Sequence, residues 1–378
     1  MPSAPTVDQV TQALATVDDP EIHRPITELG MVDSVEVDTH GRVRVGVLLT
    51  IQGCPLHDTI KRDVTLAVAK LPGVTGVDVA FGVMTDEQRQ SLQGRLMGDR
   101  GAREIPFAKP DSLTRVYAVA SGKGGVGKSS LTVNLAVAMA GLGRKVGIVD
   151  ADIYGHSVPK MMGVTDQPTQ VEQMMMPPSA DGIPVISIGM FTAGNSPVVW
   201  RGPMLHRALE QFLADVYWGD LDVLFLDLPP GTGDIAISVA QLIPPAEILV
   251  VTTPQQAAAE VAERAGAIVV QTHQRIAGVI ENMSWLACPH CGEQVDVFGS
   301  GGGHAVTEAL SRIVGAHVPL LGQVPMDLRL RERSDTGDPL VRCEPDSPAA
   351  KEIRAIADQL SARGRGLAGR PLGLTPVS

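Results

Sequence analysis

Apolar positions along this chain fall into two regimes. Up to about residue 85 they are short and periodic. Residues 6–16 read as a helix, and 31–37 and 42–50 as strands around a turn at His40-Gly41, with Val43, Val45 and Val47 alternating. A helical spacing over 60–71 stops at Pro72-Gly73, and a further strand covers 76–83. The pattern predicts a small α+β domain, residues 1–85. Between 86 and 112 the periodicity fades into Gln, Arg, Gly and Asp, with Pro106 and Pro110 near the end, as in a linker. From 113 to 378 the apolar residues gather into continuous runs at 116–120, 145–150, 183–188, 222–227, 247–251, 276–281 and 318–323. Such runs suit strands buried on both faces. Helical spacings at 131–139, 204–217, 257–270 and 349–360 lie between and after them. Strands alternating with helices predict an α/β fold, a doubly wound, mostly parallel sheet. Met161 to Met176 is rich in methionine without a period and reads as adaptable core.

The first of these runs leads into SGKGGVGKSS, residues 121–130, and then into a helix. Strand, glycine-rich turn and helix make a phosphate-binding loop. Gly122, Gly124, Gly125 and Gly127 let the backbone around Val126 turn its N–H groups inward, at a helix N-terminus that itself favours anions. Lys128 is placed to reach β- and γ-phosphate oxygens, Ser129 to offer its hydroxyl to Mg²⁺, and Ser130 closes the nucleotide-binding stretch. Two later runs end in acids: Asp150-Ala151-Asp152, and Asp227 followed by PPGTGD. Carboxylates at the carboxyl ends of strands lie at the ligand edge of such a sheet, where one can orient an attacking water and another can hold the metal's water shell. Asp234 is expected to cap the helix beginning at Ile235. No Asn-Lys-x-Asp guanine motif follows the loop, which favours ATP over GTP.

Composition narrows the field. Apolar residues at 44% and charged residues at 19% describe a chain with real cores. A net charge of −11 speaks against a nucleic-acid partner. The opening MPSAPTVDQV has no basic and apolar signal regions, and no apolar run is long enough to span a membrane. A soluble, cytoplasmic protein without a membrane partner is expected. There are 4 cysteines, two of them in Cys288-Pro289-His290-Cys291-Gly292. Cysteines three apart around a proline aim two sulfurs one way, as ligands of one metal or cluster. No second C-x-x-C exists in the chain, so a four-thiolate site needs two chains. Cys54, in a Gly-Cys-Pro turn before a helix, is either a thiol activated by that helix or a half-buried structural residue.

With Lys123 early in the loop, SGKGGVGKSS resembles the deviant-Walker class of P-loop ATPases, which includes partition, septum-site, targeting and nitrogenase iron proteins. That resemblance implies that Lys123 reaches the nucleotide of a partner subunit, that Asp152 is the acid that orients the attacking water or holds Mg²⁺-bound water, and that Asp227 is the Walker B acid. Residues 152–157 would form the first switch. DPEIHRPITELGMV with LTIQGCPLHDTIKRDV resembles the small MIP18-type domain of iron–sulfur assembly factors. Taken with VDADIYGHSVP, WRGPM, FLDLPPGTGD, IENMSWLACPHCG and FGSGGGH, residues 113 to about 345 resemble the Mrp/ApbC family of iron–sulfur cluster carrier ATPases. His156 departs from the proline usual there. The family resemblance implies a homodimer holding a labile [4Fe–4S] cluster between two Cys288/Cys291 pairs, with ATP and Mg²⁺ regulating its loading or transfer. It places Asn282 against the base and implies apo iron–sulfur proteins and a cluster assembly scaffold as partners. A partitioning or scaffold ATPase with structural zinc at the C-x-x-C is the alternative.

Overall fold

The alternation at Val43, Val45 and Val47 buries all three side chains. They lie on β2 (Arg42–Leu49), which pairs antiparallel with β1 (Val32–Val37) and parallel with β3 (Gly76–Val83). Helix α1 (Val7–Leu14) starts in a capping box of Thr6 and Gln9, and α2 (His57–Ala69) buries Ile60, Val64 and Val68, one residue per turn. In this computed structural model the described residues are 4–20, 22, 24–49, 57–85, 87–88, 91–92, 104–109, 111–152, 155–172, 174–191, 202–231, 234–255, 265–267, 269–272, 274–288 and 290–362. Cys54 lies outside them, as do 256–264, most of the helix expected over 257–270.

The chain divides into two units, and the smaller one is discontinuous: 1–103, 168–177 and 215–219. Part of the methionine-rich stretch forms a hairpin, Thr169–Val171 antiparallel to Met174–Met176. Val171, Met174 and Met176 belong to the same buried core as Val43, Val45 and Val47. The Met175 N–H donates to the Asp215 carbonyl at 2.8 Å, and the Tyr217 N–H to the Met175 carbonyl at 2.8 Å. The boundaries expected from sequence put these residues in the 113–378 domain. Their aperiodic spelling gave no sign of the apolar face they complete.

The larger unit is 104–167, 178–214 and 220–378. Its parallel strands are β4 (Arg115–Ser121), β5 (Val146–Asp150), β6 (Ile183–Ser187), β7 (Val223–Asp227), β8 (Glu247–Thr252), β9 (Arg275–Ala287) and β10 (Leu320–Met326). Their order across the sheet is β10-β9-β8-β4-β7-β5-β6, with short antiparallel strips at 179–180 on β6 and 294–295 on β9. The helices are α3 (Lys128–Gly141), α4 (Val158–Met161), α5 (Gly202–Ala214), α6 (Asp234–Leu242), α7 (Gly302–Val314), α8 (Leu328–Thr336), α9 (Leu340–Cys343) and α10 (Pro348–Ala362). The core is built from the apolar runs themselves: Tyr117 and Phe225 are fully buried, with ring centroids 5.7 Å apart. Helix α10 buries Ile353, Ile356 and Leu360. Asp227 sits in register with Asp150 on β5 and Val119 on β4, so the acids and the phosphate loop share one sheet edge. One strand departs from expectation. β9 does not stop at Glu281 but runs on through Asn282, Met283 and Ser284 to Ala287, with Met283 at φ 57°.

Met174→Ala removes a fully buried side chain from the smaller unit, and should cost that unit about 2–5 kcal/mol in chemical denaturation. A cost under about 1 kcal/mol would place the hairpin outside its core.

Candidate functional site

The phosphate loop ends on Gly127, the cap of α3, at φ 80°, a conformation glycine adopts without penalty. A Cβ there would overlap the Asn282 side-chain amide, whose nitrogen donates to the Val126 carbonyl at 2.8 Å. Asn282 is therefore buried against the loop. Lys128 follows, only 6% exposed, with Nζ 2.8 Å from Asp227 Oδ1 and 3.9 Å from Asp152 Oδ2. Asp227 has no exposed surface, and a carboxylate so placed must be paired and hydrogen-bonded. Its partners besides Lys128 are the Ser129 hydroxyl at 2.5 Å and the Thr132 hydroxyl at 2.9 Å.

These groups fit a Mg-nucleotide. Ser129 and Asp227 bring a hydroxyl and a carboxylate oxygen together, the hard donors Mg²⁺ prefers, beside a buried ammonium suited to phosphate. A Cβ on Gly125 would meet nothing within 4 Å, so the loop is open on that side. Gly122 and Gly124 belong to the same turn, and the Gly231 N–H donates to the Ser121 carbonyl at 2.8 Å, tying the turn after Asp227 to the loop. Lys123 Nζ donates to Gln255 Oε1 of its own chain. The Ser130 hydroxyl faces Met161 Sδ at 4.0 Å. Thr232 and Gly233 are outside the described residues, and α6 begins at Asp234 itself.

Asp152 is buried, and its carboxylate accepts the Gly155 N–H at 3.0 Å. Asp150 takes a different part. Fully buried, it accepts N–H groups of Asp152 and Val158, each at 3.2 Å, and the Ser187 hydroxyl at 3.1 Å. Burial first, and then the neighbouring Asp227 charge, raise its pKa from 3.8 to about 8. Asp150 thus holds both ends of the 152–158 segment in place.

The cysteine pair follows the end of β9, whose last residues pair with a short return strip, Leu286 opposite Val295 and Ala287 opposite Gln294. The Cys288 N–H donates to the Glu293 carbonyl at 2.8 Å and the Gly292 N–H to the Cys288 carbonyl at 2.9 Å. Cys288 is half-buried and Cys291 exposed, its thiol 3.9 Å from Glu293 Oε2. Backbone N–H groups of Cys291 and then His290 hold the Cys288 thiol below its ordinary pKa, favouring the thiolate that metals bind. Among the described residues no three His, Cys, Asp or Glu side chains are grouped to hold a metal.

The structure brings Lys128, Ser129, Asp152, Asp227 and Asn282 around the loop, and places Cys288 and Cys291 in the turn that follows the strand carrying Asn282. Sequence reasoning missed Thr132, Gln255 and Glu281. Thr132, one helical turn after Lys128, could have been found from its spacing; the other two meet partners remote in sequence.

Residues 112–361 match the family model described as the NUBPL iron-transfer P-loop NTPase, and residues 7–79 the one described as an iron–sulfur cluster assembly protein. The chain belongs to the iron-transfer P-loop NTPase family. It is an ATPase of this family. A relative named iron–sulfur cluster carrier protein, from Mycobacterium tuberculosis, is 64% identical over 97% of this chain and 96% of its own length. A protein of the same name from Deinococcus radiodurans is 40% identical over 94% of each. Among solved structures, a nucleotide-binding protein of Archaeoglobus fulgidus in complex with ADP matches with a TM-score of 0.53. It is 34% identical, and the match covers 65% of this ATPase and 96% of that chain. No helix among the described residues is long and apolar enough to cross a membrane.

Because the folded-state pKa of Asp150 is raised, its contribution to stability is complete below about pH 4 and is lost as pH rises towards 8. Asp150→Asn should remove that loss. In chelated, nucleotide-free protein, the stability of the variant relative to the parent should improve steadily from pH 5 to pH 8. Parallel profiles would show that Asp150 ionises normally.

Proposed function

We propose that this protein is an ATP-dependent iron–sulfur cluster carrier. It binds a labile [4Fe–4S] cluster between the Cys288/Cys291 pairs of two copies and passes it to apo-proteins. The observation that carries this reading is one continuous strand, β9, with Asn282 against the phosphate loop and a two-thiol hairpin at its end. A cubane typically takes four thiolates, and one chain offers two here, so two copies complete the set. The name of the 64% identical relative supports the cargo. Partners are then a second copy, a cluster assembly scaffold and apo iron–sulfur proteins, in the cytoplasm.

In the hydrolytic half, the loop amides and Lys128 hold the β- and γ-phosphates, and Ser129 and Asp227 hold Mg²⁺, which neutralises developing phosphate charge. Asp152 orients the attacking water. Lys123 is the residue offered to the nucleotide of the other copy, released from Gln255, and Gly122 to Ser130 with Asn282 line the nucleotide. Catalysis on this reading is positioning and charge stabilisation. Residues 1–85 serve as the assembly domain, joined through 86–112 to the ATPase domain.

Asp152→Asn should keep nucleotide affinity while slowing single-turnover hydrolysis by about 10²-fold or more, since the loop is intact and the water loses its carboxylate. A parallel fall in affinity would make Asp152 a binding residue.

Replacing Cys288 and Cys291 together with alanine should abolish anaerobic cluster reconstitution and leave ATP binding in place. The unaltered protein should take up about four irons per dimer, with matching acid-labile sulfide. Stoichiometric zinc without sulfide would instead establish a scaffold ATPase with a structural metal, and a full cluster on a monomer would overturn the bridging arrangement.

A further inference from the structure

Strand β9 touches the phosphate loop through Asn282 and ends just before the thiol hairpin, and next to Asn282 stands a buried carboxylate that neither site uses. Glu281 on β9 is 1% exposed. Such a group is stable only where donors surround it. Its Oε1 accepts the Ser284 hydroxyl at 2.7 Å and the Gln323 amide of β10 at 2.7 Å, and its Oε2 accepts the Gly303 N–H in the first turn of α7. Gly303 is the residue that permits this approach: a Cβ there would lie 3.0 Å from Glu281 Oε2 and 2.9 Å from Leu320. One side chain therefore clamps β9 to β10 and to α7.

Next to the clamp the strand changes character. Asn282 grips the Val126 carbonyl, and Met283 takes φ 57°, a left-handed conformation that costs a non-glycine residue free energy. The pairing of β9 with β10 runs regularly from Glu281–Gln323 to Asn282–Val324, then jumps to Leu286–Met326, so four residues of β9 span what two cover on β10. Two residues past Leu286 comes Cys288.

We propose that Glu281 is a positioning residue that couples the state of the phosphate loop to the metal affinity of the Cys288/Cys291 pair, with Met283 as the joint. The inference rests on the reading of that pair as the cargo site. With Glu281 fixed on three sides, a shift of Val126 that pulls on Asn282 is not absorbed by the sheet. It is passed forward through the irregular segment to the hairpin. The clamp thereby makes nucleotide and metal mutually sensitive without touching either.

The test is a coupling measurement on the full chain. Cobalt(II) serves as the metal, followed by its thiolate absorption, and a non-hydrolysable ATP analogue with Mg²⁺ as the nucleotide. In the unaltered protein the analogue should change cobalt affinity by about fivefold or more, and cobalt should change analogue affinity by the same factor, as linkage demands. Glu281→Gln should bring both factors to within about twofold of unity, while analogue affinity without cobalt and basal ATP turnover stay within about twofold of the parent. Met283→Gly, which relaxes the joint and leaves every Glu281 bond in place, should do the same, and it decides the matter if Glu281→Gln fails to fold. Retained coupling in a folded variant overturns the proposal, as does the absence of coupling in a parent that binds both ligands. A parent that gives no cobalt–thiolate signal removes the cargo reading itself, and the inference with it.

Discussion

The larger unit is organised around one buried charge. Asp227 has no contact with solvent, and water cannot compensate it, so its three donors must come from the protein: Lys128, Ser129 and Thr132, all on the first turns of α3. That requirement fixes the helix to the sheet and sets the direction in which the loop before it opens. The apolar run of β7 gives Asp227 its depth; the parallel sheet puts it beside Asp150 and one strand from the loop. The cost of burying the acid is offset by bonds that also build the phosphate cradle. Fold and site are here the same set of interactions.

A second buried acid extends that logic to the next segment. Asp150 holds Asp152 and the start of α4 by their backbone N–H groups rather than by side chains. The 152–158 segment therefore owes its ends to a carboxylate, while its own acid, Asp152, faces Lys128. Two aspartates two residues apart meet different partners: Asp150 takes backbone N–H groups and the Ser187 hydroxyl, and Asp152 the Gly155 N–H and the Lys128 ammonium. Proximity in sequence would not have separated them.

The legible parts of this chain are those in which local spelling has one physical solution. Continuous apolar runs gave β4 to β8 to within a residue at each end, and the glycine pattern at 122–127 gave the phosphate loop. Other parts depended on partners far along the chain. The apolar run predicts an end to β9 at Glu281, before Asn282-Met283-Ser284. The strand continues because Asn282 finds Val126 and the carboxylate of Glu281 finds Gly303 and Gln323. Met174 and Met176 had no period to betray them; the apolar face they complete belongs to strands more than a hundred residues earlier.

That methionine hairpin changes what a domain means in this protein. A gene cut at residue 112 looks clean in the sequence, since both family matches respect it. It would nonetheless part Val171, Met174 and Met176 from the valines they pack against, leaving each fragment with an uncovered apolar face. The two modules can be recognised separately yet not inherited separately: a substitution on β2 changes the surroundings of residues read as ATPase. In this chain the smaller unit is inherited only as three separate stretches of sequence.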